Sequence, residues 1–483
     1  MKTAEKLNMT MLCDFYELTM GNGYFQNGYR DRMVYFDVFF RRVPDRGGFA
    51  IAAGLEQLID YIENLHFSAE DIAYLRSRNM FSEEFLAYLA DFRFTGDIYA
   101  VPEGTPVFPK EPLVVVRATA IEAQLIETFT LLTINHQSLI ATKANRVVRA
   151  AKGRTVLEFG SRRAQGADAA IVGARAAYIG GCAGTACTIS DQIYGVPAGG
   201  TMAHAWVQMY DSELEAFKSY CRTYPHNAVL LVDTYNTLKS GVPNAIRAFN
   251  EVLKPMGITQ CGIRLDSGDM AYLTRKARQM LDEAGWTECK ISVSNSLDEY
   301  LIQDLLQQDA QIDQFGVGER MITAKSEPVF GGVYKLVAVE DEDGAVIPKI
   351  KISENVEKIT IPHFKKVYRF FGNDTGKAIA DYITVHDETV DDSGDLEIFD
   401  PDATWKKKVV YDFTAKELLV PIFLGGKRVY ECPTLPEIQA YCREQVDTLW
   451  DEVKRFDYPH QYYVDLSPKL WQIQQDLLRK TKA

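Results

Sequence analysis

The sequence of 483 residues is poor in histidine and cysteine and has no long apolar run. Its seven histidines are scattered, and none of its eight cysteines forms a C-x-x-C pair, so it predicts neither a zinc site nor a disulfide framework. We therefore expect reduced thiols in a cytoplasmic protein. No apolar stretch approaches the roughly 18 residues that span a bilayer, and the N-terminal stretch lacks the regions of a signal peptide. The sequence thus predicts no membrane partner.

The charge balance is acidic, with a formal net charge of −13 at pH 7. A chain with this charge repels a polyanion at long range, which argues against nucleic acid as a partner. It can still bind a small anion where arginine, lysine and backbone N–H groups are concentrated. The composition, 47% hydrophobic and 25% charged, is that of an ordinary globular protein. The length suffices for two or three domains.

The middle third of the chain alternates between short strand-like runs and helical patterns. Parallel strands joined by crossover helices produce this rhythm, so we predict an α/β fold with an irregular (β/α) barrel of parallel strands. An open, doubly wound sheet is the alternative. The strand-like runs are 155–160, 178–186, 196–204, 228–235, 261–269, 290–296, 313–319 and 333–340.

The two ends of the chain mix helical and strand-like patterns without this rhythm. We predict an N-terminal α+β domain at 1–140, a barrel at 141–340 and a segment at 341–483 that packs with the N-terminal domain. Together the two ends would form one α+β domain that flanks the barrel.

Polar and small residues gather at the predicted carboxyl ends of the strands, where parallel α/β folds place their sites. Arginines and exposed backbone N–H groups recur there, which predicts a site for a phosphate-like anion. The residues are Phe159, Gly160, Ser161, Arg162, Arg163, Thr201, His204, Asp233, Arg264, Asp266, Ser267, Asp269, Ser294, Asn295, Ser296, Gly316 and Gly318.

Each of these stretches also has a purely structural interpretation. The run "FGSRR" is compatible with a solvated helix start, "RLDSGD" with a helix capped by an aspartate, and "GVGE" with a plain turn. Independent turns would not place arginine, carboxylate, histidine and glycine on one face, so their coincidence favours a functional site.

His204 has two interpretations. Beside alanine, methionine and tryptophan it is compatible with a core histidine. However, Asp233 and Asp266 end the next two predicted strands, and either carboxylate would orient and polarise an imidazole. A histidine held in this way is a general base, or a nucleophile toward phosphorus beside a phosphate site.

Six motifs occur in a fixed order along the chain: "DFYELTMG", "EFGSRRAQG", "GGTMAHAW", "LLVDTYNT", "IRLDSGD" and "FGVGERM". Together they resemble the nicotinate phosphoribosyltransferase family from about residue 8 to 340, and less specifically beyond. The resemblance implies transfer of phosphoribosyl from phosphoribosyl pyrophosphate to nicotinate, which releases pyrophosphate and serves NAD salvage. It also implies ATP as a co-substrate, Mg²⁺ with the phosphates, a phosphorylated histidine, and a homodimer with shared active sites.

The resemblance assigns roles to residues that match the motifs. His204 would be phosphorylated, Asp233 would orient it, and Asp266 would be a second acidic neighbour. Phe159 would stack on the pyridine ring, and Tyr16 of the partner subunit would close its other face. The remaining matches are Thr201, Arg162 and Arg264 around nicotinate and ribose phosphate, and Gly316 and Gly318 at the 5-phosphate, with Ser294, Asn295 and Ser296 nearby. Transfer of a ribosyl group passes through a cationic sugar, so carboxylates are needed beside it, and Asp266 and Asp269 would meet that need.

The second predicted strand bears on the choice of substrate. Relatives that use nicotinamide carry an acidic residue there, and this chain has "GGCAGTACT", which contains none. Its absence favours nicotinate, and a nicotinamide phosphoribosyltransferase is the alternative. A sugar-phosphate isomerase or aldolase is a further alternative, but the strand ends offer no lysine for a Schiff base. A non-enzymatic scaffold would not require a histidine–carboxylate pair with several arginines.

Overall fold

A computed structural model describes residues 8–355 and 358–480, which fall into two compact units. The first unit contains the described parts of 1–139 and 329–483, and the second unit contains 140–328. The first unit is therefore built from both ends of the chain. None of the described helices is long and apolar enough to cross a membrane.

The strands of the described chain are short and fall into five sheets. They are β1 Met33–Phe39, β2 Ala50–Ile51, β3 Asp97–Ala100, β4 Pro106–Val107, β5 Val114–Thr119, β6 Thr155–Glu158, β7 Gly184–Thr185, β8 Val229–Leu231, β9 Gly262–Leu265, β10 Lys290–Asn295, β11 Gln314–Val317, β12 Val333–Glu340, β13 Val346–Pro348, β14 Lys365–Gly372, β15 Ala378–Val385, β16 Leu396–Phe399, β17 Lys407–Val410, β18 Phe413–Glu417, β19 Val420–Leu424, β20 Lys427–Arg428 and β21 Val464–Leu466.

The α-helices occupy both units, and many begin with a polar capping residue. They are α1 Phe15–Gln26, α2 Leu55–Asn64, α3 Ala69–Ser77, α4 Glu83–Ala90, α5 Ala120–Leu125, α6 Glu127–Ala150, α7 Ala167–Ile179, α8 Thr188–Tyr194, α9 His204–Gln208, α10 Glu213–Thr223, α11 Val242–Ala248, α12 Met270–Glu283, α13 Glu299–Gln307, α14 Glu319–Ile322, α15 Leu435–Thr448 and α16 Pro468–Lys480.

The first unit is organised around a seven-stranded sheet with the order β13-β12-β1-β5-β3-β19-β20. All neighbours in this sheet are antiparallel. The central strand β5 is rich in valine, and Val115 and Val116 are fully buried, as β-branched side chains suit a packed sheet. A four-stranded sheet, β18-β14-β15-β21, packs the aromatic side chains of Phe370 and Phe413 against each other.

The second unit contains a six-stranded parallel sheet with the order β7-β6-β11-β10-β9-β8. Its strands are short, and Ile263, Ile291 and Phe315 at their centres are fully buried. Apolar residues at helical spacing predict helices over 237–257, 269–285 and 297–311, and the last two are confirmed by α12 and α13. The stretch 237–257 is also helical, but π-helical turns at Thr237–Gly241 and Phe249–Leu253 flank α11.

Two of the eight predicted strands do not belong to this parallel sheet, and a third, 178–186, contains only the two-residue strand β7 because its first two residues end helix α7. The run 196–204 makes a single bridge, from Thr185 to Ala198, because a proline and two adjacent glycines give a strand little to pair or pack. The run 333–340 is a strand, β12, but it pairs antiparallel with β1 in the first unit. In the described part of the chain β7 and β8 are outer strands, so the sheet is open there and a closed barrel is not confirmed.

Candidate active site

Candidate site residues from the sequence analysis lie at the carboxyl edge of the parallel sheet. Phe159 follows β6, Asp233 lies two residues after β8, and Asp266 follows β9. Asn295 is the last residue of β10, and Gly318 follows β11. Because parallel strands end at the same edge, these residues come from five separate chain segments to one side of the sheet. We call this side the carboxyl edge.

Phe159 is held by the glycines of β11 and the turn that follows it. Its backbone N–H donates to the carbonyl oxygen of Val317 at 2.7 Å. A Cβ atom on Gly316 would lie 2.5 Å from Phe159 Cδ2, and one on Gly318 would lie 2.9 Å from Phe159 O. Glycine is therefore required at Gly316 for the ring to occupy this position, half-buried beside the carboxyl edge.

Arg264 of β9 fixes the segment that precedes His204. Its Nη1 donates to Thr201 Oγ1 at 2.5 Å, and its Nη2 donates to the carbonyl oxygen of Met202 at 2.9 Å. Burial lowers the pKa of Arg264, the carboxylates of Asp266 and Asp233 oppose that effect, and the positive charge of Arg162 adds to it. Two arginines thus lie close together at this edge, which concentrates positive charge in an acidic protein.

The carboxylates form a chain of hydrogen bonds across neighbouring strands. Asp233 Oδ2 accepts the backbone N–H of Asp266 at 2.8 Å and the hydroxyl of Ser267 at 2.7 Å. Asp266 Oδ1 in turn accepts the hydroxyl of Ser294 at 2.6 Å. Asp233 Oδ1 is buried and has no hydrogen-bond partner. An unpaired carboxylate oxygen is therefore available beside the loop after β9.

His204 is the first residue of helix α9, not the end of a strand as predicted. It is half-buried, and its Nδ1 lies 3.1 Å from Thr234 Oγ1. Thr234 follows Asp233 in sequence and was missed by the sequence analysis, which looked for a carboxylate as the partner of the imidazole. The oxygen of Asp233 that is engaged, Oδ2, faces Asp266 and Ser267 instead.

The other predicted phosphate and ribose residues have defined local roles. Asp269 Oδ1 accepts the backbone N–H of Tyr272 at 3.0 Å, so Asp269 caps helix α12 as its alternative interpretation required. Asn295 has a φ of 141°, which is uncommon for a residue other than glycine, and its Oδ1 accepts the N–H of Ser296 at 2.7 Å. Backbone in such a conformation persists only where surrounding structure imposes it.

A buried carboxylate that the sequence analysis missed lies beside the second strand. Glu158, at the end of β6, is fully buried, and its Oε2 accepts the hydroxyl of Thr185 at 2.6 Å. Its Oε1 accepts the backbone N–H of Gly160. Burial raises the pKa of Glu158, and the hydrogen bonds from Thr185 and Gly160 oppose that rise. Both oxygens of Glu158 accept hydrogen bonds within the protein, so its side chain stabilises the turn after Phe159.

Tyr16 belongs to the first unit, near the start of helix α1. It is 44% exposed, and its phenol lies close to Glu127. Burial of part of the ring and the nearby carboxylate of Glu127 raise the pKa of Tyr16. All eight cysteines are free thiols, and six of them are buried.

The parallel sheet with arginines, carboxylates and a histidine at its carboxyl edge defines an α/β enzyme. The relatives identify the family. Sequence models of the nicotinate phosphoribosyltransferase N-terminal and C-terminal domains match residues 11–135 and 364–474. The nicotinate phosphoribosyltransferase of Bacillus subtilis (strain 168) is 45% identical over 478 residues, covering 99% of this chain and 96% of that protein. The chain therefore belongs to the nicotinate phosphoribosyltransferase family.

Solved structures agree with this assignment. The crystal structure of human nicotinic acid phosphoribosyltransferase matches with a TM-score of 0.85 at 27% identity, covering 96% of this chain and 99% of that one. A nicotinate-nucleotide pyrophosphorylase from Pyrococcus furiosus matches with a TM-score of 0.71 at 25% identity, covering 93% and 97% of the two chains. The human nicotinate phosphoribosyltransferase sequence is 30% identical over 520 residues, covering 95% of each chain.

Proposed function

We propose that this enzyme transfers the phosphoribosyl group of phosphoribosyl pyrophosphate to the ring nitrogen of nicotinate, with release of pyrophosphate. Full-length similarity to the Bacillus subtilis enzyme supports the activity. The observation that carries it is the carboxyl edge itself, where the Arg264–Thr201 pair and the hydrogen-bonded chain from Asp233 to Ser294 meet. The Arg264–Thr201 pair offers positive charge for anions, and the hydrogen-bonded chain from Asp233 to Ser294 offers carboxylates. The reaction needs both, because it handles phosphates and a sugar that becomes cationic.

Nicotinate binding uses an aromatic ring and two cations. The half-buried ring of Phe159, backed by Gly316, offers a face on which a pyridine ring stacks. Arg264 and Arg162 are the cations that the nicotinate carboxylate and the ribose phosphate require, and Thr201 is held by Arg264. The enzyme acts as a homodimer in which Tyr16 of the partner subunit closes the other face of the pyridine.

The transfer step forms one bond and breaks one. The pyridine nitrogen bonds to C1 of the ribose while the bond from C1 to the pyrophosphate oxygen breaks, so no base is needed to activate the nucleophile. The sugar passes through a cationic state, which Asp266 and Asp269 stabilise from the edge of the sheet. Ser294, Asn295, Ser296, Gly316 and Gly318 hold the 5-phosphate at the ends of β10 and β11, where backbone N–H groups are concentrated.

The residues of this edge also fit a magnesium ion. Mg²⁺ is usually held by one or two carboxylates together with substrate phosphates. Asp233 Oδ1 is a buried carboxylate oxygen without a partner, and Asp266 lies beside it in the same hydrogen-bonded chain. When bound there, Mg²⁺ would offset the charge of the pyrophosphate.

ATP hydrolysis is coupled to transfer through His204. When Nδ1 donates to Thr234 Oγ1, the lone pair of Nε2 is free to attack phosphorus. The γ-phosphorus of ATP bonds to Nε2, its bond to the ADP oxygen breaks, and ADP leaves. Water later attacks the phosphohistidine, which breaks the P–N bond, releases phosphate and restores the imidazole. The phosphoryl group adds negative charge to His204, which follows the Thr201–Met202 segment held by Arg264. This charge changes the affinity for phosphoribosyl pyrophosphate during the cycle.

The second strand supports nicotinate over nicotinamide. The stretch 180–188 contains no acid, and the buried Glu158 beside it has both oxygens engaged by Thr185 and Gly160. No free carboxylate therefore repels the nicotinate carboxylate or accepts a hydrogen bond from a carboxamide at this strand.

The six parallel strands of the second unit would form an irregular barrel, and the chain ends 1–140 and 341–483 would form one α+β domain. Eight free thiols suit a reducing compartment, and we place the enzyme in the cytoplasm.

The experiment that tests this function measures mononucleotide formation from phosphoribosyl pyrophosphate with either nicotinate or nicotinamide, each with and without ATP. The proposal requires nicotinate turnover that ATP and Mg²⁺ stimulate. Preferential turnover of nicotinamide would overturn the substrate assignment. Turnover of neither compound would overturn the reaction and favour a sugar-phosphate substrate. Arg264→Lys is the variant to compare with the wild type in this assay, because lysine keeps the positive charge of Arg264 and loses its paired contacts with Thr201 and Met202.

A further inference from the structure

The start of helix α1 is attached to helix α6 by hydrogen bonds with Thr128. The backbone N–H of Asp14 donates to Thr128 Oγ1 at 3.1 Å, and the carboxyl group of Glu17 accepts two further bonds from Thr128. Glu17 Oε1 also accepts the backbone N–H of Asp14 at 3.3 Å, which completes a capping box. The same oxygen accepts the backbone N–H of Thr128 at 3.2 Å and the Thr128 hydroxyl at 2.5 Å. Tyr16 lies between Asp14 and Glu17, so its position depends on these hydrogen bonds.

The two oxygens of Glu17 have opposite environments. Oε1 accepts three hydrogen bonds, whereas Oε2 is buried and has no partner. Glu17 is fully buried. This asymmetry matches a protonated carboxyl group, in which one oxygen is a carbonyl acceptor and the other carries the proton. An ionised carboxylate would leave a charged oxygen buried without a donor, which is far more costly than a neutral one.

The titratable groups around Glu17 also favour its neutral form. Burial raises the pKa of Glu17 to about 7, the hydrogen bonds from Thr128 and Asp14 oppose this rise, and the negative charge of Glu127 adds to it. The one cation in this surrounding set, Lys335, interacts with Glu127. The set consists of Cys13 and Asp14 before the helix, Tyr16 on α1, Glu127 on α6, Tyr61 on α2, and Tyr334 and Lys335 on β12.

Glu127 lies close to both Glu17 and Tyr16. It accepts a hydrogen bond from the Gln124 side chain at 2.8 Å, and its negative charge acts on the phenol of Tyr16. Ionisation of Glu17 would place a second buried negative charge near Glu127 and would weaken the attachment of the helix start to α6.

We propose that Glu17 is a positioning residue that acts in its protonated form and holds Tyr16 for nicotinate, so that ionisation of Glu17 weakens nicotinate binding. This inference rests on the proposed function, specifically on the contact of Tyr16 with the pyridine ring. The direction of this pH effect follows from the raised pKa of Glu17. The attachment is strongest below the ordinary pKa of a glutamate, weakens above it, and is lost as the pH rises through the raised pKa of Glu17.

The test compares the wild type with Glu17→Gln, whose amide keeps an acceptor at Oε1 and cannot ionise. The KM for nicotinate is measured between about pH 5 and about pH 8.5, a range that runs from near the ordinary pKa of a glutamate to above the raised pKa of Glu17. A difference of one unit between the pKa of Glu17 in the attached helix and in the detached helix changes the equilibrium between these two states by a factor of about ten. We expect the wild-type KM to rise by up to about tenfold over this range, with kcat less affected. Glu17→Gln should remove this rise, and Glu84→Gln, an exposed first-turn glutamate of α4, should retain it.

Two results would overturn the proposal: identical pH profiles of the nicotinate KM in the wild type and Glu17→Gln, or a raised KM in Glu17→Gln at every pH. A second readout does not need turnover. Amide hydrogen exchange over 14–20, compared between the proteins at equal pH, should increase above neutral pH in the wild type alone. If nicotinate is not turned over but this difference in exchange is found, the proposed function fails while the protonation-dependent attachment stands. If turnover is normal and exchange does not differ, the attachment fails.

Discussion

The carboxylate of Asp233 accepts the backbone N–H of Asp266 at 2.8 Å, which ties the loop after β9 to the end of β8. The same oxygen accepts the hydroxyl of Ser267, so one side chain shapes the start of that loop. Hydrogen bonds to a charged acceptor contribute about 1.5–3 kcal/mol each. Asp233 therefore sets the position of Asp266, the carboxylate that we place beside the ribose.

Removal of the Asp233 carboxylate should impair the use of phosphoribosyl pyrophosphate. We expect Asp233→Ala to lower kcat/KM for this substrate by about 100-fold, since a loss near 2.7 kcal/mol gives that factor. The KM for nicotinate should change much less, because Phe159 and its glycine support are independent of Asp233. Steady-state kinetics with each substrate varied in turn measure both effects, and an unchanged kcat/KM in a normally folded variant would contradict the assignment.

A methyl group at Gly316 should displace Phe159. The added Cβ would lie 2.5 Å from Phe159 Cδ2, and overpacking of this kind costs about 1–3 kcal/mol. We expect Gly316→Ala to raise the KM for nicotinate by about tenfold. Gly394→Ala is the control, because nothing lies within 4 Å of its new Cβ.

A double-mutant cycle identifies the cause of that effect. If the clash with the ring is responsible, Gly316→Ala should have little further effect in a Phe159→Ala background. Equal effects in both backgrounds would show that the glycine acts independently of the ring.

The second unit should depend on a buried ion-pair cluster around Glu299. Glu299 Oε1 accepts Lys143 Nζ at 2.9 Å and Arg146 Nε at 2.8 Å, and the three side chains are 4% exposed or less. Glu299→Ala leaves two buried cations without this partner, a change that costs about 3–5 kcal/mol. We expect the Tm to fall by roughly 10 °C. Differential scanning calorimetry measures this, with the exposed Glu283→Ala as control, and equal Tm values for the two variants would refute the role of the cluster.

Much of the site was predictable from the sequence because the ends of its strands can be recognised there. Short apolar runs that stop at aspartate, serine or glycine mark where parallel strands reach a common edge, and Asp233, Asp266 and Gly318 lie there. The run 333–340 was placed in the wrong sheet, since its β-branched pattern suits parallel and antiparallel neighbours alike. Its partner, β1, lies far away in sequence.

The contacts of individual side chains were not predictable in the same way. Thr234 contacts His204 because helix α9 begins at the histidine, and a strand had been predicted there. Glu158 was missed because a carboxylate inside a strand-like run gives no sign of its partners until Thr185 and Gly160 are placed beside it.

The most direct test of the account follows the γ-phosphoryl group of ATP. The enzyme is incubated with γ-labelled ATP, quenched in alkali and mapped by mass spectrometry, with His204→Ala as the negative control and Thr234→Val as the variant that loses the hydrogen bond to Nδ1. If His204 carries the phosphoryl group, its peptide should gain one phosphate and lose it on addition of phosphoribosyl pyrophosphate and nicotinate. Labelling should be lower in Thr234→Val, and slow ATP-independent transfer should remain in His204→Ala. An unlabelled His204 peptide, or full coupling of ATP hydrolysis to transfer in His204→Ala, would contradict the phosphohistidine mechanism.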